Sequence, residues 1–190
     1  MDKILTDLRI TIAVGALLAV GLMFAPYYQP PTGALGLFQW LHVFFGITWI
    51  GLLYYFNFVQ IPTMPLIPAE LKPGVSKYIA PKALFYFRWA AAFTVLTGLI
   101  LAHLYGELVE ALTLQEPARL IGIGMWLALI MAANVWFIIW PNQQKILGLV
   151  EATAEEKAAA APKALYASRF NTMFSIGMLY CMVAQQNAPI

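Results

Sequence analysis

Two histidines, His42 and His103, are the residues whose chemistry stands out, because the chain has no others and both lie in apolar runs. His42 stands in "FQWLHVFFGI" and His103 in "LILAHLYGEL". Ionisable side chains within apolar membrane segments are costly, and they are candidate functional residues for that reason. The pair raises the question of what two imidazoles could hold in such surroundings.

The composition predicts an integral membrane protein that is surrounded by a lipid bilayer. The 190 residues are 62% hydrophobic and 11% charged, whereas soluble domains carry about 25% charged residues. One cysteine, Cys181, excludes an internal disulfide and a CxxCH haem-attachment motif. The net charge is only +2 and no basic face stands out, so no nucleic-acid partner is expected.

Five apolar runs approach the length of about 20 residues that a membrane span needs. They cover about residues 10–25, 37–61, 89–105, 120–140 and 170–184, the last being the shortest. Their continuous apolar character favours helices over strands. Prolines predict loops at "YYQPPTG" and "IPTMPLIP". The sequence thus predicts an all-α integral membrane protein, a single five-helix transmembrane bundle over residues 1–190.

The charges predict how this bundle is oriented. All but one of the 11 Lys and Arg residues fall in the amino-terminal segment, in the segments after spans two and four, or at their edges. The other side has only Arg119, together with three glutamates. Because basic loops stay in the cytoplasm, we expect a multi-pass protein of the bacterial inner membrane. Its amino terminus would be cytoplasmic and its carboxyl terminus periplasmic.

The chain contains an internal repeat. "APKALFYFRW" at residues 80–89 recurs as "APKALYASRF" at residues 161–170. A tryptophan followed eight residues later by an asparagine also recurs, beginning at Trp49 and at Trp126. Spans two and three are therefore predicted to be a parallel copy of spans four and five. The alternative is that similar cytoplasmic helix starts arose from composition bias.

The two histidines are predicted to share one layer near the periplasmic face. Spans two and three are consecutive and antiparallel, so they should be neighbours. At 1.5 Å per residue, His42 lies roughly 7–8 Å inside span two and His103 roughly 5 Å inside span three. Two imidazoles at one depth on adjacent helices could bind one ligand between them.

Haem b is the first candidate for this ligand. Imidazole is a common axial ligand of haem iron, and bundle interiors are where helical proteins hold cofactors. With His42 and His103 in both axial positions, the haem would transfer electrons and would not bind oxygen. Arg119, at the outer mouth of span four, could pair with a propionate. Glycines would let the macrocycle approach the backbone at Gly46, Gly51, Gly98 and Gly122.

Copper and a purely structural role are the alternatives for the histidines. Met178, Cys181 and Met182 on span five could approach the same layer, and imidazole, thiolate and thioether suit copper. In the structural alternative, both histidines bond only to backbone, water or a partner subunit. The sequence contains no triad, nucleotide motif or paired intramembrane carboxylates, so no catalytic residues are predicted.

Further polar residues lie in the cytoplasmic half of the spans. They are predicted to form hydrogen bonds between helices, with a proton or substrate path as the alternative. The residues are Asn57, Gln60, Asn134 and Asn171.

Two segments, "WIGLLYYFNFVQIP" and "NVWFIIWPNQQKIL", together with the "APKAL" segments, resemble the membrane domain of bacterial membrane-bound urate oxidases (urate hydroxylases). The resemblance covers about residues 39–182. In that family a cytochrome c domain follows the membrane domain, and urate oxidation feeds the respiratory chain. This chain has no CxxCH motif. The resemblance therefore implies a redox setting with a cytochrome partner, while urate oxidation itself does not transfer directly.

The sequence leaves three functions open. The first is a membrane electron-transfer protein or subunit with one b-type haem, within or beside a larger respiratory or oxidase complex. The second is a cofactor-free accessory subunit of such a complex. The third is a small urate-oxidase-like membrane oxidoreductase. The isolated chain is expected not to be an enzyme in the first two.

Overall fold

The computed structural model describes residues 6–23 and 33–187, and this part of the chain is helical with short connecting turns. Helix α1 spans Leu8–Met23, and most of its side chains are exposed. Its position agrees with the first predicted span. The end of that span and nearly all of the loop predicted at "YYQPPTG" lie outside the described residues.

Helix α2 covers Ala34–Leu66, 33 residues, and is longer than the second predicted span. It contains a π-helical segment at Tyr55–Gln60 and ends in a 3₁₀ turn at Met64–Leu66. The prediction of a loop at "IPTMPLIP" is therefore wrong for the first six residues of that stretch. The helix passes Pro62 and ends only before Ile67, whose backbone is extended.

Helix α3 covers Lys72–Leu104, the short α4 covers Leu108–Leu112, α5 covers Arg119–Leu147, and α6 covers Ala154–Asn187. Helices α3, α5 and α6 each begin before the corresponding predicted span, and α5 and α6 also end after it. Helices α2, α3 and α5 are long and apolar enough to cross a membrane, which supports a membrane protein.

Proline follows each π-helical segment that the structure describes. Pro62, Pro81 and Pro141 each come two residues after such a segment ends. Proline in a helix lacks an N–H, and its ring collides with the carbonyl four residues earlier. A π turn widens the helix locally and lengthens its hydrogen bonds to i→i+5, which relieves that collision. The helices therefore continue past these prolines, including Pro62, where the sequence had predicted a loop.

Helices α2 and α3 form an antiparallel pair. Phe45 stacks on Phe93, with ring centroids 5.0 Å apart. Further along α2, Phe56 meets Phe87 edge-on at 5.7 Å. Contacts move forward along α2 while they move backward along α3, as an antiparallel pair requires.

Helices α5 and α6 form a second antiparallel pair. Ile121 bonds to Gln185 near the start of α5, and Asn134 bonds to Asn171 further along it. The two pairs also pack against each other, because α3 contacts α5 and α6 contacts α2. These helices form an up-and-down bundle, with neighbours running in opposite directions.

Large apolar side chains cover much of the outside of the bundle, while its interior holds a mixture of aromatic and small residues. Trp49 and Phe87 are buried in the interior, whereas Phe137 and Tyr166 are more than two-thirds exposed. Apolar patches this extensive mark surfaces that contact lipid or protein. The outside of the bundle is thus suited to a membrane.

Helix α6 begins 16 residues before the fifth predicted span, because a capping motif starts it. Thr153 Oγ1 accepts a hydrogen bond from the Glu156 N–H at 3.2 Å, and Glu156 Oε2 accepts one from the Thr153 N–H at 2.9 Å. This reciprocal pair is a capping box. The sequence prediction had placed residues 154–169 in a loop because they lie between the fourth and fifth apolar runs.

Candidate functional site

The imidazole of His42 is held in the seam between α2 and α3. Its Nδ1 lies 3.0 Å from the backbone oxygen of Thr94. A carbonyl oxygen can only accept, so this bond assigns the ring proton to Nδ1. Nε2 is then left with an available lone pair. The sequence left three roles open for the histidines: haem binding, copper binding and hydrogen bonding alone. The structure shows a hydrogen bond to the backbone for His42.

Gly98 makes room for this ring. A Cβ built at Gly98 would lie 2.8 Å from Cε1 of His42 and 3.1 Å from its Nδ1. Contacts below 3.0 Å force a displacement, and the imidazole is held by its bond to Thr94. The glycine predicted to let a macrocycle approach the backbone instead accommodates a histidine of the same chain.

A small cavity of about 40 Å³ lies beside the imidazole, inside the bundle. Trp49 lines it, is fully buried, and its Nε1 has no hydrogen-bond partner among the described residues. A water molecule occupies about 30 Å³ in the liquid, so the space suits one small occupant. Residues from both helix pairs line it, among them His42, Trp49, Gly98, Met125, Met178 and Met182.

Helices α5 and α6 contribute methionines to the lining of this cavity. Met178 and Met182, predicted as possible copper ligands, do line the space beside His42. Met125 joins them, and the sequence analysis had missed it because a cavity-lining methionine looks like any core methionine. Cys181 is buried instead against Gly124, where an added Cβ would lie 2.8 Å from Cys181 Cβ.

His103 does not meet His42. It is exposed and lies five residues beyond Gly98 on α3, which places it about 7.5 Å further along the axis and rotated by about 140°. Since Gly98 faces the His42 ring, His103 projects from a different side of α3 at a different depth. The shared layer predicted for the two histidines is not what the structure shows.

Arg119 is engaged by the turn that precedes α5. Its Nη1 forms an ion pair with Glu116 Oε1 at 2.9 Å, and its Nε donates to the backbone oxygen of Leu114 at 3.2 Å. The side chain is about half exposed. Its described contacts are therefore local and do not involve the His42 cavity.

The arrangement does not fit a haem between His42 and His103. Axial ligands must reach one iron atom from opposite sides, whereas these rings differ in depth and direction. The cavity of about 40 Å³ is also several times smaller than pockets for small organic ligands, which measure about 300–1,000 Å³. Among the residues that the structure describes, no three His, Cys, Asp or Glu side chains group as metal ligands.

A second polar region joins α2 to α6 in the half of the bundle predicted to be cytoplasmic. Asn57 Nδ2 donates to Leu53 O at 2.9 Å on its own helix and to Ser168 Oγ at 2.8 Å on α6. Arg169 Nη1 donates to the backbone oxygen of Asn57 at 3.4 Å. These bonds confirm that Asn57 connects two helices.

The asparagines of α5 and α6 connect the second helix pair. Asn134 Nδ2 donates to Asn171 Oδ1 at 3.0 Å, and Asn171 Nδ2 donates to Met131 O at 2.9 Å. The prediction of interhelical hydrogen bonds is confirmed for both. Gln60 differs, because its Oε1 is buried without a partner among the described residues.

The arginines that end the two "APKAL" segments lie at corresponding interfaces. Arg88 on α3 lies over the ring of Trp140 on α5, 3.6 Å from its centroid. Arg169 on α6 reaches the backbone of Asn57 on α2. In the repeat, α2 corresponds to α5 and α3 corresponds to α6. The interface of Arg88, between α3 and α5, therefore corresponds to the interface of Arg169, between α6 and α2, as a duplicated helix pair would require. The sequence repeat thus has a counterpart in the packing.

The fold and these contacts describe a helical bundle of membrane-protein type, held together by interhelical hydrogen bonds. Residues 105–189 match the family described as urate oxidase N-terminal. The matched range includes α4, α5 and α6 in full. The resemblance noted in the sequence is thereby confirmed for this part of the chain. No curated protein and no solved structure matches the chain.

Proposed function

We propose that the chain is an accessory subunit of a larger oxidase or respiratory complex in the bacterial inner membrane. The observation that carries this proposal is the match of residues 105–189 to the urate oxidase N-terminal family. It supports a redox setting, and it falls on one complete helix pair of the bundle.

The proposal includes five membrane crossings with a cytoplasmic amino terminus. Helices α2, α3 and α5 have the required length and apolar character. We assign the other crossings to α1 and α6. The 34 residues of α6 give a length of about 51 Å, more than the roughly 30 Å of a bilayer core. The distribution of lysine and arginine supports the orientation.

The contacts of the polar side chains favour a supporting role over catalysis by the isolated chain. Asn57, Asn134 and Asn171 bond to other helices or to their own backbone. Arg119 pairs with Glu116. These groups stabilise the bundle, and the cavity beside His42 is too small for an organic substrate. The extensive apolar surface would contact lipid and the larger complex.

The haem hypothesis stays a prediction, and the geometry supports it less than the accessory role. A haem held by His42 and His103 would require α3 to rotate and the helices around the cavity to separate. The family match also keeps a urate-oxidase-like activity as a second candidate. Its substrate would have to bind outside the small cavity or at an interface with a partner.

One preparation tests all three functions. The chain is tagged, expressed at its natural level and purified from membranes in mild detergent. We expect stoichiometric co-purification with subunits of a larger membrane complex, no haem α band from the chain alone, and no urate consumption by it. An unassociated chain would contradict the accessory role. An α band that His42→Ala abolishes would establish haem instead, and urate turnover by the pure chain would establish the enzyme.

A further inference from the structure

We propose that the cavity beside His42 is a binding site for one Cu(I) ion, held by the imidazole and by the thioethers of Met125, Met178 and Met182. This site goes beyond the accessory role and does not depend on it. The structure places His42 from α2, Met125 from α5, and Met178 and Met182 from α6 in the lining of one cavity.

The hydrogen bond of His42 prepares the ring for a metal. Imidazoles that ligate metals usually donate their other N–H to a carboxylate, a backbone carbonyl or a water, which fixes tautomer and ring direction. The bond from His42 Nδ1 to Thr94 O has this form. It leaves Nε2 unprotonated, so an ion can bind there without displacing a proton.

The methionine side chains indicate which metal the site would bind. Methionine sulfur is a soft ligand that favours Cu(I), whereas Ca²⁺ and Mg²⁺ require oxygen ligands. The hydroxyl groups nearest the ring are already engaged, because Thr94 Oγ1 donates to Ala90 O at 2.7 Å and Thr97 Oγ1 to Phe93 O at 2.6 Å. The imidazole and the thioethers are neutral, so a bound ion keeps its full charge. The cost of burying an ion rises with its charge, which favours the singly charged Cu(I) over a divalent ion.

The size and walls of the cavity suit a bare ion. A volume of about 40 Å³ accepts an ion that has lost its water but excludes a porphyrin. The buried indole of Trp49 lines the same space, and indole is the aromatic ring that best stabilises a cation. Because the indole Nε1 lacks a partner among the described residues, a single water is the competing occupant.

Titration with Cu(I) tests the site. The full chain, in detergent and without oxygen, is titrated with Cu(I) against a competing chelator, and the bound metal is counted by mass spectrometry. We expect one Cu(I) per chain, with nitrogen and sulfur ligands in the X-ray absorption spectrum. Met178→Leu and Met182→Leu should each weaken binding at least about tenfold, since loss of even an outer-shell partner costs about 10–100-fold.

Matched variants separate the site from changes in packing. Leucine for methionine preserves volume and usually costs less than about 1.5 kcal/mol, so the variants should fold. Met131→Leu, buried elsewhere on α5, and Met173→Leu, exposed on α6, should bind Cu(I) as the wild type does. His103→Ala should also leave binding unchanged, because that residue is on another side of α3.

Three results would overturn the proposal. One is the absence of stoichiometric Cu(I) binding by the folded chain, which would leave water in the cavity. Another is binding that survives Met178→Leu and Met182→Leu together. The third is binding that only His103→Ala removes, which would reveal an adventitious surface site. Co-purification with a larger complex is scored separately, so the accessory role can fail or succeed independently.

Discussion

The imidazole of His42 lies so close to Gly98 that a methyl group on Gly98 would overlap the ring. The added Cβ would be 2.8 Å from Cε1. At this close approach of α2 and α3, Nδ1 of His42 lies within hydrogen-bonding distance of Thr94 O. Nδ1 thereby has a hydrogen-bond partner inside an apolar bundle.

Gly98→Ala should destabilise the protein by about 1–3 kcal/mol, the usual cost of forcing an extra methyl group into a packed core. The imidazole would have to move and lose its bond to Thr94. Gly51→Ala is the matched control on α2, because no described atom lies within 4 Å of its added Cβ beyond its own helix and chain neighbours. Unfolding in mixed detergent micelles measures both. Equal stability of the two variants would contradict the close packing.

The asparagine pair of α5 and α6 should be energetically coupled. A double-mutant cycle with Asn134→Ala and Asn171→Ala should give a coupling free energy of about 0.5–2 kcal/mol, the range of interhelical hydrogen bonds in membranes. Asn171→Ala should be the costlier single change, because it also removes the bond to Met131 O. Asn142→Ala is the control, since Asn142 bonds only within its own helix in the described contacts. A coupling near zero would mean that the pair does not connect the helices.

The apolar runs predicted where the membrane helices lie, because hydropathy depends directly on side-chain chemistry. They did not predict where α3 and α6 begin. The segments "KPGVSKYIAPK" and "TAEEKAAAAPK" lie outside the predicted apolar runs, yet alanine and lysine are good helix formers. The capping box at Thr153 starts α6 well before its apolar part. Hydropathy therefore located the apolar centres of these helices but not their ends.

The sequence did not predict how the helices are rotated and shifted against each other. His42 and His103 looked equally deep because each was counted from the end of its own span. Their real relation depends on how α2 slides and turns against α3, which the fit of His42 against Gly98 determines. The same applies to Met125, which joins the cavity only because α5 packs against both neighbours.

Thr153→Ala should fray the first turn of α6. Removing a threonine cap costs about 0.5–2 kcal/mol, and here it also removes one half of the capping box with Glu156. Amide exchange of residues 154–157 should become faster, while exchange in the buried centre of α6 stays unchanged. Thr153→Ser keeps the hydroxyl and should behave as the wild type does. Equal exchange in all three proteins would show that the cap does not hold this turn.

The stability of the first turn of α6 should depend on pH through the ionisation of Glu155. Hydrogen bonds from its own backbone N–H and from the Thr153 side chain lower the pKa of the Glu155 carboxyl. Because the folded pKa lies below the unfolded one, the ionised form stabilises the turn above the unfolded value, about 4.3. This contribution is lost as the pH falls through the lowered pKa.

Amide exchange of residues 154–157, corrected for the intrinsic effect of pH, measures this dependence. In the wild type, protection should fall as the pH drops below the unfolded value and through the lowered pKa of Glu155. Glu155→Gln, which keeps the size of the side chain but cannot ionise, should remove that part of the dependence. A Glu155→Gln protein with the wild-type pH profile would assign the loss of protection to another group.

The five crossings that we propose would place the carboxyl terminus on the opposite side of the membrane from the amino terminus. Alkaline phosphatase, which is active only in the periplasm, should therefore be active when fused to the carboxyl end. The same enzyme fused after Val150, between α5 and α6, should be inactive, because that segment lies beside the lysines predicted to remain in the cytoplasm. Inactivity at both positions, together with fluorescence of a green fluorescent protein at the carboxyl end, would show that α6 does not cross. The match to the urate oxidase N-terminal family would stand, but the five-span arrangement would not.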